Sequence, residues 1–103
     1  MSFEWAVGLF EGEGSLCKVR QNGKSWKLSI EMTDKDVVQM FVNVMGTGKI
    51  YDRPPRFTGR KPTYLWQCYR KAEIIRIASK MLPLLGDRRA HRVLNCLDNY
   101  EID

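Results

Sequence analysis

The sequence contains one histidine, His91, together with three cysteines and four prolines in 103 residues. A single histidine excludes a catalytic histidine pair and leaves no redundancy for a histidine–serine–aspartate triad. Cys17, Cys68 and Cys96 lie far apart without Cys-x-x-Cys spacing, so neither a disulfide frame nor a cysteine zinc site is expected. Buried, reduced thiols in a reducing compartment are the expectation instead. No apolar run approaches the roughly 18 residues of a membrane span. The opening MSFEWAVGLF has no early positive charge and no secretory cleavage pattern, so no signal peptide is read there.

Lysine and arginine are missing from both ends. All 17 lie between Lys18 and Arg92, a stretch holding six acidic residues and therefore a net charge of +11. The flanks hold the other six acidic residues. A basic middle favours a polyanionic partner, although a soluble basic surface is the plainer reading. Hydrophobic residues make up 44% of the chain and aromatics 11%, enough for one modest core and against disorder. Residues 1–103 read as a single domain. A chain this short buries only roughly 60–65% of its unfolded surface, so a partner subunit would help it.

Residues 3–13 read as a helix with two apolar faces. Phe3, Ala6, Val7 and Phe10 form one; Trp5, Gly8, Leu9 and Gly12 form the other. Such a helix needs cover on both sides, and a second subunit is the obvious second cover. Segments 15–21 and 25–33 read as strands joined by Asn22-Gly23, a strong hairpin signal. In the second strand Trp26, Leu28, Ile30 and Met32 alternate with Lys27, Ser29, Glu31 and Thr33, which predicts one buried and one polar sheet face. Thr33 and Asp36 resemble a capping box for a helix over 34–45 that ends at Gly46. Strands at 48–53 and 63–69 flank the basic loop PPRFTGRKP. A helix over 71–82 stops near Pro83, and Asp87 is expected to cap a last helix. The order is α-β-β-α-β-β-α-α.

The segment AVGLFEGEG, residues 6–14, places Gly8 and Gly12 four apart within a helix. Each costs about 1 kcal/mol relative to alanine, and together they allow close approach of another backbone. Fraying of the helix at Gly12-Glu13-Gly14 is the bland alternative. Glu13 sits at the negative end of the helix dipole, where a carboxylate is disfavoured. Pairing two such helices brings two Glu13 carboxylates together, a repulsive arrangement unless a divalent cation neutralises it. Oxygen-only ligands suit Mg²⁺, with Mn²⁺ as a substitute. A solvated helix-end carboxylate is the other reading of Glu13. Trp5, Trp26 and Trp66 read most simply as core residues, and His91 as a surface or packing residue.

AVGLFEGEG followed by Ser15 resembles the LAGLIDADG motif of homing endonucleases, with Glu11, Glu13, Gly8 and Gly14 in register. The element order, the Asn-Gly hairpin, the Thr33-Asp34 junction and Leu82-Pro83-Leu84-Leu85 extend the resemblance over nearly the whole chain. One motif resembles the homodimeric branch. The resemblance implies an α+β fold in which a four-stranded antiparallel saddle sheet carries helices on its convex face. It implies a site-specific double-strand DNA endonuclease that hydrolyses phosphodiesters with Mg²⁺ at a homodimer interface, on a long, near-palindromic target. Intron or intein mobility would follow, in bacterial or phage-infected cytoplasm or an organelle matrix.

Carried onto this sequence, Glu13 becomes the metal carboxylate and the Gly14 carbonyl supports the same shell. Glu11 binds backbone groups at the helix pair, beside Trp5, Gly8, Leu9 and Gly12. Asp34 and a basic residue near the start of the last helix, Arg88 or Arg89, would organise active-site water. Arg88, Arg89 and Arg92 also read as a solvated basic face. Candidate DNA contacts are Lys27, Ser29, Glu31, Lys49, Tyr51, Arg53, Gln67 and Tyr69 on the sheet and Arg56, Arg60 and Lys61 in the loop. The rival functions are an RNA-splicing maturase, a non-cleaving DNA-binding protein of the same fold, and a small self-associating structural domain. The +11 middle argues against the last.

Overall fold

The computed structural model describes residues 2–19, 25–55 and 57–101, with side chains through 98. Its elements follow the expected order. They are α1 (Phe3–Glu13), β1 (Gly14–Lys18), β2 (Trp26–Met32), α2 (Lys35–Met45), β3 (Lys49–Arg53), β4 (Thr63–Cys68), α3 (Lys71–Met81) and α4 (Asp87–Glu101), with a 3₁₀ turn at Leu82–Leu84 before α4. The strands form one antiparallel sheet in the order β1-β2-β4-β3. The hairpin expected at Asn22-Gly23 lies outside the described residues. Val19 N–H donates to the Ser25 carbonyl at 2.8 Å, so the β1–β2 pairing extends as far as these two residues.

The alternation in the strands decides the layering. Leu16, Trp26, Leu28, Ile30, Trp66 and Cys68 are buried on one face of the sheet. All four helices supply the opposing layer: Ala6, Val7 and Phe10 from α1, Val38, Phe41 and Met45 from α2, Ile74, Ile77, Ala78 and Met81 from α3, Val93 and Cys96 from α4. Among the described residues no helix packs on the other sheet face. Ser29 lies on that face yet is 9% exposed, being set in an interior strand.

Local chemistry fixes the ends. Ser2 Oγ accepts from Trp5 N–H at 3.1 Å and caps α1. Asp34 caps α2 by itself: its Oδ1 accepts from Asp36 N–H at 3.1 Å and Val37 N–H at 3.3 Å. The Thr33/Asp36 capping box is thereby corrected, because the helix opens one residue later and the Asp34 carboxylate already takes both amides. Asp87 is likewise the first residue of α4 rather than its cap. Gly46, at φ 75°, ends α2 with its N–H on the Val42 carbonyl. Gly48 is left-handed at φ 91° and leaves room for the Trp66 indole, whose Nε1 donates to the Thr47 carbonyl at 2.9 Å.

Candidate nucleic-acid interface and motif helix

The motif helix divides as its two faces require. Ala6, Val7 and Phe10 are buried, while Gly8, Gly12 and Glu13 are exposed and Trp5 and Leu9 half-buried. A Cβ added to Gly8 or Gly12 would meet nothing within 4 Å, so the packing within this chain does not demand glycine there. Gly14 is different. The chain passes from helix to strand at this residue without a loop, and a Cβ would fall inside the Phe10 ring.

Glu11 is half-buried and engaged within its own chain. Oε1 accepts from Gly86 N–H at 2.7 Å, and Oε2 lies 3.5 Å from Arg89 Nε. The Arg89 guanidinium also stacks 5.1 Å from the Phe10 ring centre. Within its own chain Glu11 thus holds the backbone of the residue preceding α4, whereas the sequence reading set it on backbone groups of the helix pair. Glu13 is exposed on the last turn of α1, which holds no basic residue.

An open cleft of about 530 Å³ lies beside this junction, lined by Glu11, Gly14, Ser15, Leu16, Cys17, Gly86, Asp87, Arg88, Arg89 and Arg92. Arg88 and Arg89 thus come together with Gly14. Asp34 does not join them: it lines a separate depression with Thr33, Lys35, Asp36, Lys61 and Tyr64. Arg92, read as part of a solvated basic face, binds the Leu16 carbonyl through Nε at 3.0 Å and stacks 5.6 Å from the Trp26 ring centre. Lys18 stacks on the same ring at 5.6 Å. His91 is exposed, as expected. Among the described residues no group of three or more His, Cys, Asp or Glu comes close enough to hold a metal ion.

Register organises the helix-free sheet face into rows. Ser15, Ser29, Gln67 and Lys49 face one another across all four strands. Glu31, Leu65 and Tyr51 form a second row, and Cys17 and Lys27 a third. Arg53 and Thr63 pair at the far end. Tyr69 projects just beyond β4, 51% exposed, and lines a depression with Lys49, Tyr51 and Gln67. Lys61 and Arg60 line another with Glu31 and Arg53. Arg56 lies outside the described residues. Phe57, 67% exposed under the Arg60 guanidinium at 5.9 Å, was not singled out by sequence. Its signal was an aromatic inside a Pro- and Arg-rich loop.

The three thiols are free but unequal. Cys68 and Cys96 are buried; Cys17, on the helix-free face, is half-buried, which corrects the expectation of three buried thiols. Burial pushes the Cys68 thiol up, and pushes Cys96 up from the ordinary 9.0 to about 12 against the pull of Arg92.

No protein-family model and no curated protein matches the sequence. Solved structures do match the fold. The homing endonuclease I-CvuI, in complex with its target in the presence of 2 mM Ca, superposes with a TM-score of 0.70 at 17% identity, over 94% of this chain and 64% of that one. The chain has the homing-endonuclease fold. The archaeal intron-encoded homing endonuclease I-Vdi141I, complexed with DNA, gives 0.58 at 18% identity over 79% and 55% of the two chains. A K262A mutant of I-SmaMI gives 0.52 at 18% identity over 94% and 42%. The chain therefore spans about 64% of the length of the first of these homing-endonuclease-fold proteins. No helix among the described residues is long and apolar enough to cross a membrane.

Proposed function

We propose that the chain is one half of a divalent-metal-dependent, site-specific DNA endonuclease that acts as a homodimer. The observation that carries this reading is the open side of α1. Trp5, Gly8 and Gly12 lie along it, no Cβ at either glycine would meet this chain, and an exposed Glu13 ends it where the strands begin. A second copy packed there brings two Glu13 carboxylates together. In this reading the donor set for a cation is shared by the two copies. Two Glu13 carboxylates with Gly14 carbonyl oxygens suit a hard ion, Mg²⁺ or Mn²⁺, which when bound lowers the pKa of water and stabilises a departing oxygen.

The other residues have supporting roles. Glu11 holds the start of α4 beside Gly14, which sets Arg88 and Arg89 on the cleft. Arg89 is tied to Glu11 and Phe10, so Arg88 is the better candidate to face a phosphate. Lys27, Ser29, Lys49, Tyr51, Gln67 and Tyr69 on the sheet and Arg60 and Lys61 in the loop would contact a long, near-palindromic duplex. Host-element mobility in a reducing compartment accords with free thiols.

The separation of Asp34 from the Arg88–Arg89 cleft favours a second reading, a DNA-binding protein that does not cleave. Incubation with a randomised duplex library and Mg²⁺, followed by sequencing of cut ends, decides between the two. Cleavage is expected in wild type and should fall by orders of magnitude in Glu13→Gln, with binding retained. Equal cutting by that variant would place the metal elsewhere.

A further inference from the structure

The helix-free sheet face carries one acid among its described strand residues. Glu31 sits on the interior strand β2, with Oε1 3.4 Å from Arg53 Nη1 on the edge strand β3. Its Oε2 accepts from Thr63 Oγ1 on β4 at 2.5 Å, so the contact spans three strands. Arg53 and Glu31 are 38% and 39% exposed, and an ion pair this open to water contributes little to folding. A carboxylate on a face that meets phosphates also repels them. Its effect is therefore on Arg53: it orients the guanidinium and occupies a charge that would otherwise bind any phosphate.

We infer that Arg53, Glu31 and Thr63 form a reading element for one G·C base pair in the major groove. This rests on the DNA-binding reading given above. A G·C edge presents guanine N7 and O6 as acceptors and cytosine N4 as a donor. The Arg53 fork donates to the guanine, and Glu31, fixed by the Thr63 hydroxyl, accepts from the cytosine. The reversed pair sets the carboxylate against the guanine acceptors. An A·T pair sets the adenine N6 donor against the guanidinium. Each alternative leaves a polar group facing its own kind, which is how a fixed acid–base pair discriminates.

The test is selection of bound duplexes from a randomised library in EDTA, with the full chain and its variants. Wild type should enrich G·C over A·T at one position per half-site by roughly 5- to 150-fold. Arg53→Lys, which keeps the charge and loses the fork, should lose that preference at the same position alone. Glu31→Gln should move it toward adenine, whose N6 and N7 match an amide. Glu31→Ala should flatten it, tighten binding to random duplex, and steepen the salt dependence by about 0.9 in slope as Arg53 gains a phosphate. A Glu31→Ala variant that binds duplex with the wild-type preference and salt slope overturns the inference and leaves the DNA-binding reading intact. Failure of wild type to bind any duplex overturns both.

Discussion

Glu11→Ala removes the anchor between the motif helix and α4, and its cost can be worked from two contacts. The ion pair with Arg89 is long at 3.5 Å and its partners are 34% and 29% exposed, so solvent screening holds it to about 0.5 kcal/mol. The bond from Gly86 N–H is short at 2.7 Å and charge-assisted, and it joins the carboxylate to the N-terminal end of α4. The helix dipole there favours negative charge, and such a bond contributes about 1.5–3 kcal/mol. The expected loss is about 2–3.5 kcal/mol for alanine and about 1 kcal/mol for Glu11→Gln, which keeps an acceptor but not the charge.

Urea unfolding monitored by tryptophan fluorescence measures these losses. For a domain of this size, 2 kcal/mol lowers the melting temperature by about 8–16 °C. Concentration dependence separates the two roles of Glu11. A bond inside the protomer lowers stability equally at low and high protein concentration, whereas a bond across a dimer acts through mass action. A Glu11→Ala variant within about 0.5 kcal/mol of wild type would refute the assignment, because it would mean water serves the Gly86 amide as well as the carboxylate does.

Gly14→Ala drives a methyl into the Phe10 ring at a junction without slack, so a loss of at least about 1–3 kcal/mol is expected in the same unfolding assay. Cys96 holds its proton in the folded state to about pH 12 while the unfolded thiol releases it near 9.0. Folded protein then binds more protons than unfolded, and stability falls as pH rises through that window, by up to about 1.4 kcal/mol per pH unit; Cys96→Ala should flatten this slope in alkaline melting curves. Arg60→Ala should weaken binding to all duplexes alike and reduce the salt slope by about 0.9, read by titration at several salt concentrations.

What the sequence made legible was whatever local periodicity controls. The alternation in Trp26–Met32 fixed both faces of the sheet, and the 3.6-residue spacing in the helices fixed the core, because side-chain direction follows backbone geometry within a few residues. Contacts between residues remote in the chain were not legible. The Glu11–Gly86 bond joins residues 75 apart, and the Arg92–Leu16 bond residues 76 apart. Arg92 has the same local spacing as a solvated arginine; only the arrival of β1 beneath α4 turns it into a strut. Asp34 shows the same limit at short range. Its residue type suits a water-organising role and a helix cap equally, and the start of α2 at Lys35 commits one of its oxygens to the cap.

The motif can be divided by asking which of its residues this protomer explains. Gly14 is explained, since Phe10 fills the space a Cβ would need. Glu11 is explained by Gly86 and Arg89. Gly8 and Gly12 are not. Each weakens the helix by about 1 kcal/mol relative to alanine, and an alanine methyl at either position would meet nothing of this chain. Glu13 is not explained either, because it places a negative charge on the negative end of α1 with no cation in that turn. These three unexplained residues are all exposed and lie within one turn and a half of the same helix. The costs share a location, so whatever offsets them acts there. Close packing of a second α1 accounts for the glycines but adds a second Glu13 and worsens the charge. A hard cation accounts for Glu13 but not for the glycines. Only the two together balance every residue of the motif, and for that reason dimerisation and metal binding are proposed as one event rather than two.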